Sequence, residues 1–456
     1  MSHNTTPKAL TIAYIQSPNR SKAQTESHIS QKQWQQLHDS LLLESTERCK
    51  AEPNFSEYGE IMPGCHWLSD DQWKEPFINE MQTFLKSAPR TLFKPRKCYV
   101  CKVHFFNVHH FYHSMCPDCA YENYRQRSET ADLTGRIALV TGGRIKIGYE
   151  ITLKLLRAGS TVLVTSRFKY DAACRFINEP DYDIWKHRLH IYGLDLKHIP
   201  SVEAFINYVG HHYSALDIII NNAAQTNRKP HDYYMAMANN DIQCIAKTDH
   251  KLLGAFVDKQ LNNEIQKYLQ DKNSPLIKAS TTVKLDEFNE PIDVSSNNSW
   301  TKTIDNVDTL EFLETQTINV TSPFLINSRL KPLLLNSTFK QKFIVNVSAM
   351  EGQFNRKDKT HRHPHTNMAK AALNMMTRTV AKDYVNDNIY MTSVDTGWVT
   401  QENPFPIKIK NRAKGVVPPL DCVDGASRVL SPVFDAVNGK PALYGCFLKD
   451  YQICSW

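Results

Sequence analysis

The sequence has no run of apolar residues that approaches the roughly 20 needed to span a bilayer. Its N-terminal segment also has no basic stretch followed by a long apolar core, so neither membrane insertion nor secretion is expected. The net charge is +7, but the basic residues form no runs. Nothing therefore predicts binding to a nucleic-acid backbone, and we expect a cytoplasmic protein.

The composition is that of a folded chain, with 41% hydrophobic and 22% charged residues. A length of 456 residues predicts two or three domains. From about residue 133, short β-branched segments alternate with amphipathic segments, which predicts βαβ units. We therefore predict an α/β, Rossmann-type doubly wound parallel sheet of about seven strands in residues 133–456, with a polar insertion at about 234–306. The predicted strands are RIALVT, STVLVTSR, RLHIYGLDL, LDIIINNAA, FIVNVSA, IYMTSVD and ALYGCFLKD.

Residues 136–159 have the pattern of a strand, a glycine turn and a helix. Gly142 would let the chain turn sharply, and Gly148 would let the helix pack closely. The first turn of such a helix presents unpaired N–H groups and the positive end of its dipole. This segment therefore predicts a binding site for the diphosphate of a dinucleotide.

The same segment resembles the T-G-x-x-x-G-x-G fingerprint of the short-chain dehydrogenase/reductase family, with Thr141, Gly142, Ile147 and Gly148 in register. Lys146 replaces the middle glycine, as a basic residue does in pteridine reductases, which the resemblance links to NADPH use. Later motifs follow in the order that the family has. The resemblance implies that Asp195 and Leu196 contact the adenine, Asn222 and Ala223 line the cofactor, Ile147 lies at the diphosphate, and Thr400 reaches the nicotinamide carboxamide.

The end of the second predicted strand bears on the choice of cofactor. Ser166 and Arg167 stand where an NAD-preferring enzyme has a carboxylate that binds the ribose 2′-hydroxyl. A guanidinium instead forms charge-assisted contacts with a 2′-phosphate. Arg144, Lys146 and Arg167 therefore favour NADP(H), unless they are only solvated surface cations.

The motif that would carry catalysis departs from the family. The resemblance implies a tyrosine four residues before a lysine on one helix, a spacing that puts both side chains on one face. Lys370 fits the lysine, but the residue four positions earlier is Thr366, whose hydroxyl is too weak an acid to replace a phenol. The family's two serines are also altered, because Ser348 is followed by Ala349.

Two interpretations of this departure remain open. In the first, the chain is an NADP(H)-dependent oxidoreductase that interconverts a carbonyl and an alcohol, or an imine and an amine. His365 or His363 then replaces the tyrosine as proton donor, Ser348 polarises the carbonyl, and Asn319 and Lys370 keep their family roles. In the second, the chain binds NADP(H) without efficient chemistry and acts as a sensor or scaffold.

Two C-x-x-C pairs lie close together before the predicted sheet. This spacing predicts a small zinc-ribbon-like module, residues 98–127, in which four thiolates bind a structural zinc ion. A redox-active C-x-x-C pair and mixed ligation by a neighbouring histidine are the alternatives. Residues 1–97 carry no motif that indicates a role, and with the zinc module they are candidate contacts for a protein partner. The resemblance also implies a small-molecule substrate and is compatible with a homo-oligomer. The four predicted ligands are Cys98, Cys101, Cys116 and Cys119.

Overall fold

The computed structural model describes residues 91–270, 285–356 and 359–456. Most of the region predicted as N-terminal, residues 1–97, lies outside them. The described strands form one two-stranded sheet and one eight-stranded sheet. The strands are β1 (Thr91–Lys97), β2 (His104–Asn107), β3 (Ile137–Thr141), β4 (Thr161–Ser166), β5 (Leu189–Gly193), β6 (Ile218–Asn221), β7 (Lys342–Ser348), β8 (Ile389–Asp395), β9 (Phe447–Lys449) and β10 (Gln452–Cys454).

Helices connect the strands of the larger sheet, as parallel strands require. A π-helical segment, Thr317–Thr321, lies between two of them. The helices are α1 (Pro117–Arg127), α2 (Lys146–Arg157), α3 (Lys169–Ile177), α4 (Tyr182–Trp185), α5 (Ile199–His212), α6 (His231–Cys244), α7 (Lys259–Gln270), α8 (Thr309–Gln316), α9 (Ser322–Arg329), α10 (Lys331–Leu335), α11 (Pro364–Tyr384), α12 (Phe405–Ala413) and α13 (Cys422–Val437).

The larger sheet has the strand order β10-β9-β8-β7-β6-β3-β4-β5. All neighbouring pairs are parallel except β9 and β10. The winding direction reverses at β3, which pairs with β4 on one side and with β6 on the other. Ligands of doubly wound sheets bind outside the carboxyl ends of the strands at such a reversal. Thr141 and Asn221, the last residues of β3 and β6, therefore mark the expected site.

The predicted Rossmann-type sheet is confirmed, and each of the seven predicted segments supplies one parallel strand. The sheet has one strand more than predicted, because β10 pairs antiparallel with the edge strand β9. Asp450 and Tyr451 connect these two strands, and both have left-handed backbone angles, with φ of 48° and 65°. Positive φ at both central residues is the geometry of a tight two-residue hairpin.

Successive residues of the central strands point to opposite faces of the sheet, where two separate hydrophobic cores lie. Val140 belongs to a core that includes residues of α2 and α13, such as Leu155 and Phe434. Leu139 belongs to the other core, which includes Phe205 of α5 and residues of α9. Helices thus cover both faces, which explains why these strands are apolar without alternation.

A long insertion separates β6 from α8. It includes α6, α7 and the described residues 285–308. Within it, Tyr233 and Met237 of α6 pack against Phe168, the residue that precedes α3. The insertion therefore packs beside the ends of the strands that form the predicted nucleotide site.

The chain divides into two compact units. The first contains the four predicted zinc ligands and two later stretches of the chain, Trp398–Gln401 and Pro406–Asp424. The second contains Glu129–Gly397, Glu402–Phe405 and Gly425–Trp456, and hence the whole eight-stranded sheet. No helix within the described ranges is both long and apolar enough to cross a membrane.

Candidate nucleotide-binding and catalytic site

The glycine turn after β3 is tightly packed. Gly142 has a φ of +72°, and a Cβ atom at this position would lie 2.9 Å from the Cα of Ala223. A Cβ at Gly148 would lie 2.1 Å from the carbonyl oxygen of Gly142. Lys146 also has a left-handed backbone, with a φ of 55°, at the position where the family has its middle glycine. The turn thus has the shape that a glycine-rich turn would give, although one glycine is missing.

The start of α2 is suited to an anion. Its N-cap residue, Ile145, makes no side-chain capping hydrogen bond, and the first turn has no acidic residue. The first N–H groups of a helix lack partners within the helix, so a bound diphosphate would satisfy them. Ile147 lies in this turn and packs partly buried against the core.

The segment after β6 is fixed to the end of β3. The hydroxyl of Thr141 accepts hydrogen bonds from the backbone N–H groups of Asn222 and Ala223, each at 3.1 Å. The amide of Asn222 donates to the carbonyl oxygens of Thr141 and Gly142 at 3.1 and 3.0 Å. These bonds hold the two chain segments together at the reversal point of the sheet.

Arg144 is not a solvated cation beside the predicted phosphate site. Its guanidinium is buried and pairs with Asp171 at 2.6 Å and with Glu290 of the insertion at 2.7 Å. Asp171 also accepts from Arg175 at 2.9 Å. Although burial opposes ionisation of Asp171, the two arginines lower the pKa of its carboxyl group. Arg144 therefore links the glycine turn to α3 and to the insertion.

Lys146 and Arg167 lie beside aromatic residues of the insertion. The Lys146 ammonium lies 5.0 Å from the ring centroid of Phe288, and the Arg167 guanidinium lies 5.0 Å from that of Tyr234. Cations over aromatic faces are attracted by the ring quadrupole. Ser166 is buried, and its hydroxyl accepts the backbone N–H of Phe168 at 3.0 Å. Ser166 thus shapes the turn that presents Arg167.

Asp195 and Leu196 follow β5 and are both buried. The Asp195 carboxylate accepts the backbone N–H of Lys197 at 3.0 Å, and the Lys197 ammonium lies 3.6 Å from it. The carbonyl oxygen of Leu196 accepts the hydroxyl of Ser322 on α9 at 2.7 Å. Both residues therefore fix the loop after β5 at the carboxyl edge of the sheet.

Lys370 is buried on α11, and its ammonium donates to the carbonyl oxygen of Val347 at 2.8 Å. Burial lowers the pKa of Lys370 to about 8, against the opposing effect of the Glu351 carboxylate. Thr366, one turn earlier, is buried, and its hydroxyl has no hydrogen-bond partner among the described residues. The i, i+4 spacing puts both residues on one face of α11.

Ser348 is directed towards α11. Its hydroxyl is buried and donates to the side-chain carbonyl of Asn374 at 2.6 Å. This contact engages the hydroxyl proton that would polarise a substrate carbonyl. Ala349, which follows at the end of the strand, offers no hydroxyl.

The two histidines near the start of α11 have different surroundings. Nε2 of His365 lies 3.3 Å from Glu311 Oε1, and both side chains are buried. Although burial opposes ionisation of Glu311, contacts from His365 and Lys302 lower the pKa of its carboxyl group to about 2. His363 is the N-cap of α11, with a left-handed φ of 42°, and its ring stacks on Trp300 of the insertion at a centroid distance of 4.0 Å.

Asn319 lies in the π-helical segment between α8 and α9. Its side chain accepts the backbone N–H of Gln225 at 2.7 Å and donates to the carbonyl oxygen of Gln225 at 3.2 Å. π-helical turns are frequent at functional sites. Asn319 therefore holds the segment that follows Asn222 and Ala223 in place.

Asp395 is a site residue that the motifs did not single out. It ends β8 in register with Ser348 of β7, and its carboxyl group is buried. One oxygen accepts the N–H of Gly397 at 3.0 Å, and the other has no hydrogen-bond partner among the described residues. Burial raises the pKa of Asp395 to about 6. The available sequence signal was an acidic residue at the end of an apolar strand, two residues before Gly397.

The four predicted zinc ligands lie together in the first unit. Their sulfur atoms lie within 4.8 Å of one another, and those of Cys101 and Cys116 are 3.7 Å apart. Four sulfurs at zinc–sulfur distances of about 2.3 Å in a tetrahedron would be about 3.8 Å apart. The backbone N–H of Cys116 donates to the sulfur of Cys98 at 3.3 Å. The thiol geometry therefore fits a four-coordinate zinc ion.

Thr400 belongs to the first unit, and Asn222 and Lys370 belong to the second. All the other predicted cofactor and catalytic residues belong to the second unit. Thr400 lies in a later stretch of the chain that belongs to the first unit. It is half-buried there.

Two family models match the sequence. Residues 136–248 match a model described as short chain dehydrogenase, and residues 279–414 match one described as enoyl-(acyl carrier protein) reductase. Together they span more than half of the chain. The chain belongs to the short-chain dehydrogenase/reductase family.

This family member has relatives among viral and fungal proteins. It is 31% identical over 401 residues to uncharacterized protein R665 of Acanthamoeba polyphaga mimivirus, which covers 84% of the chain and 79% of the viral protein. It is 34% identical over 98 residues to hydroxynaphthalene reductase arp2 of Aspergillus fumigatus, which covers 22% of the chain and 35% of the fungal protein. A solved short-chain dehydrogenase from Salmonella enterica aligns with a TM-score of 0.45 and 16% identity, over 71% of the chain and 99% of that structure.

The four-cysteine module lies outside both family matches, because its last cysteine, Cys119, precedes residue 136. Within the matched residues, this chain has Ala349 and Thr366 where the short-chain dehydrogenase/reductase pattern has its second serine and its tyrosine. The nucleotide turn thus follows the family more closely than the catalytic positions do.

Proposed function

We propose that the chain is an NADP(H)-dependent oxidoreductase that interconverts a carbonyl and an alcohol, or an imine and an amine. The uncapped start of α2 and the tight glycine turn support a bound diphosphate. Lys146 and Arg167 support a 2′-phosphate, whereas the carboxylates on Arg144 give it a structural role. When bound, the cofactor supplies the hydride.

The observation that carries the proposed chemistry is the environment of Lys370. A buried ammonium has three donors, and among the described residues this one makes a single hydrogen bond. Its pKa of about 8 lies near neutral pH, which suits a general acid. Lys370 is therefore proposed to donate the proton itself as the substrate oxygen or nitrogen gains its electron pair, leaving a neutral amine that solvent reprotonates.

This assignment replaces His365 as the proposed donor. His365 is five residues from Lys370, so the two side chains point in different directions from α11. Its ring contacts Glu311, which lies on α8. The Ser348 hydroxyl, donated to Asn374, is likewise assigned to the packing of β7 against α11.

The test compares Lys370→Met with Lys382→Met, a change of an exposed lysine on the same helix. Consumption of NADPH is followed with a panel of aldehydes, ketones and cyclic imines. Lys370→Met should lower kcat by about 10²- to 10⁴-fold, and Lys382→Met should leave it unchanged. The wild-type kcat/KM should fall as the pH rises through about 8, because the ammonium form is lost. Equal activity of the two variants would contradict the role of Lys370.

A catalytically silent NADP(H)-binding sensor or scaffold is the second candidate. The engaged hydroxyl of Ser348, together with Ala349 and Thr366 at catalytic positions, favours it. Tight NADPH binding by calorimetry, with no turnover of any substrate in the panel, would support this candidate and refute the enzyme.

We further propose that the four cysteines bind one structural zinc ion. No histidine joins this cluster in the described part of the chain. His109, inside the spacer, instead accepts the backbone N–H groups of Phe111 and Tyr112. Elemental analysis of the purified protein should find one zinc per chain, and Cys101→Ser should lower that content. If protein purified under reducing conditions contained no zinc, the result would support a redox-active C-x-x-C pair instead.

A further inference from the structure

The first unit contains long-range contacts between the four-cysteine module and residues near position 400. The hydroxyl of Tyr99 accepts the backbone N–H of Trp398 at 2.8 Å. The guanidinium of Arg127 donates to Asp421 at 2.7 Å and to Asp424 at 3.1 Å. These contacts lie at the start of Trp398–Gln401 and at the end of Pro406–Asp424, the two stretches of the first unit that we together call the anchored segment.

The second end is buried more deeply than the first. The Asp424 side chain has no exposed area, and the hydroxyl of Tyr112 donates to it as well. Arg127 is 13% exposed, and its guanidinium lies 5.0 Å from the ring centroid of Phe111. Removing one partner of a buried ion pair leaves the other charge uncompensated, which is strongly destabilising. The pairing of Arg127 with the two aspartates is therefore needed to keep this end in place.

Two of the module residues that make these contacts, Tyr99 and Arg127, belong to segments that also carry the cysteines. Tyr99 directly follows Cys98, and its backbone N–H donates to Ser114 at 2.8 Å. Cys116 is the N-cap of α1, the helix that carries Arg127 in its last turn. We expect the fold of so short a module to depend on what joins the four sulfurs.

The anchored segment begins shortly after a strand of the larger sheet. β8 ends at Asp395, at the carboxyl edge of the sheet, and Trp398 follows three residues later. We propose that zinc bound to the four cysteines holds the anchored segment in its folded conformation, so that the order of the chain leaving the β8 edge depends on metal occupancy. This inference rests on the proposed zinc site and assigns it a role inside this chain.

Hydrogen exchange measured by mass spectrometry on the full chain tests the proposal. The zinc-loaded protein is compared with protein stripped by a chelator under reducing conditions, which keeps the thiols from oxidising. Peptides from residues 398–424 should exchange at least about 10-fold faster after stripping, while peptides from β3, β6 and β7 stay unchanged. Unchanged exchange in 398–424 would overturn the proposal, and so would a general loss of protection in the sheet.

Variants that keep all four cysteines separate the two ends. Tyr99→Phe should speed exchange around residues 398–401, and Arg127→Met should speed it around 418–424. Arg125→Met is the matched control, because Arg125 pairs with Glu122 on its own helix. Zinc content and NADPH affinity, measured on each sample, report on the proposed function separately. An Arg127→Met protein with wild-type exchange and full zinc would refute the anchoring role.

Discussion

The nucleotide turn and the start of α11 lie in the same unit but are built differently. At the turn, Gly142 and Gly148 leave no space for a side chain, and hydrogen bonds between side chains and the backbone join neighbouring segments. Around α11, several buried polar atoms have no hydrogen-bond partner within the described ranges, among them the Thr366 hydroxyl and one Asp395 oxygen. An unpartnered buried polar group calls for an explanation, and a role in binding or catalysis is one such explanation. The contrast indicates that the turn keeps the tight geometry of the family pattern, while the positions around α11 depart from that pattern.

The largest expected effect is on the turn. Gly148→Ala would place a Cβ atom 2.1 Å from a backbone oxygen, so the turn must shift. We expect NADPH affinity to fall by at least about 100-fold, because the donors at the start of α2 lose their positions. Calorimetry measures this loss. Gly210→Ala is the control, since a Cβ there meets nothing within 4 Å, and unchanged affinity in Gly148→Ala would remove the basis of the contrast.

The region around α11 can be tested by measuring how the free energy of unfolding depends on pH. Because folding raises the pKa of Asp395 to about 6, the folded state binds its proton more tightly than the unfolded state does. Its stabilising contribution is present below about pH 4 and is lost as the pH rises to about 6. Asp395→Asn should therefore raise the free energy of unfolding by about 2 to 3 kcal/mol at pH 8 and have little effect at pH 4.

Denaturant unfolding at the two pH values measures this difference. An equal effect of Asp395→Asn at pH 4 and pH 8 would show that burial of the charge is not the cause.

Arg167, the cation that follows β4, gives a third test. Arg167→Asp should weaken NADPH binding by about 10- to 100-fold, since it removes a charge-assisted contact, and should shift the preference towards NADH. Competition between the two cofactors measures the shift. Arg378→Asp, an exposed change of equal charge on α11, should leave the preference as it is. An unchanged preference in Arg167→Asp would exclude Arg167 as the phosphate ligand.

The smallest effect is expected at Thr366. Thr366→Val keeps the shape of the side chain and removes a buried hydroxyl for which the described part of the chain supplies no partner. We expect about 1 kcal/mol of added stability and unchanged kcat. Thermal unfolding and steady-state kinetics measure both quantities. A large fall in kcat would mean that the hydroxyl takes part in the chemistry and would weaken the proposed role of Lys370.

Much of the fold could be predicted because parallel strands buried on both faces are continuous apolar runs, as in β3 and β6. β10 could not, because its hairpin turn uses Asp450 and Tyr451 where an asparagine and a glycine are the usual signal. The strands and the glycine turn depend on local sequence, which explains the success there.

The candidate site was harder to predict. Sequence motifs name the type of residue, but the direction of Ser348 depends on the pleat of β7 and on Asn374. The pairing of Arg144 with Glu290 depends on an insertion that has no recognisable pattern. Contacts between distant segments follow from packing, which neither spacing nor composition encodes.

The insertion contacts both the nucleotide turn and the start of α11. Glu290 pairs with Arg144 of the nucleotide turn, and ten residues later Trp300 stacks on His363 at the start of α11. A ligand that displaces one end of this part of the insertion would also displace its other end. The affinities for cofactor and substrate should therefore be thermodynamically coupled. By the same linkage, occupancy of the substrate position would alter coenzyme affinity by an equal factor.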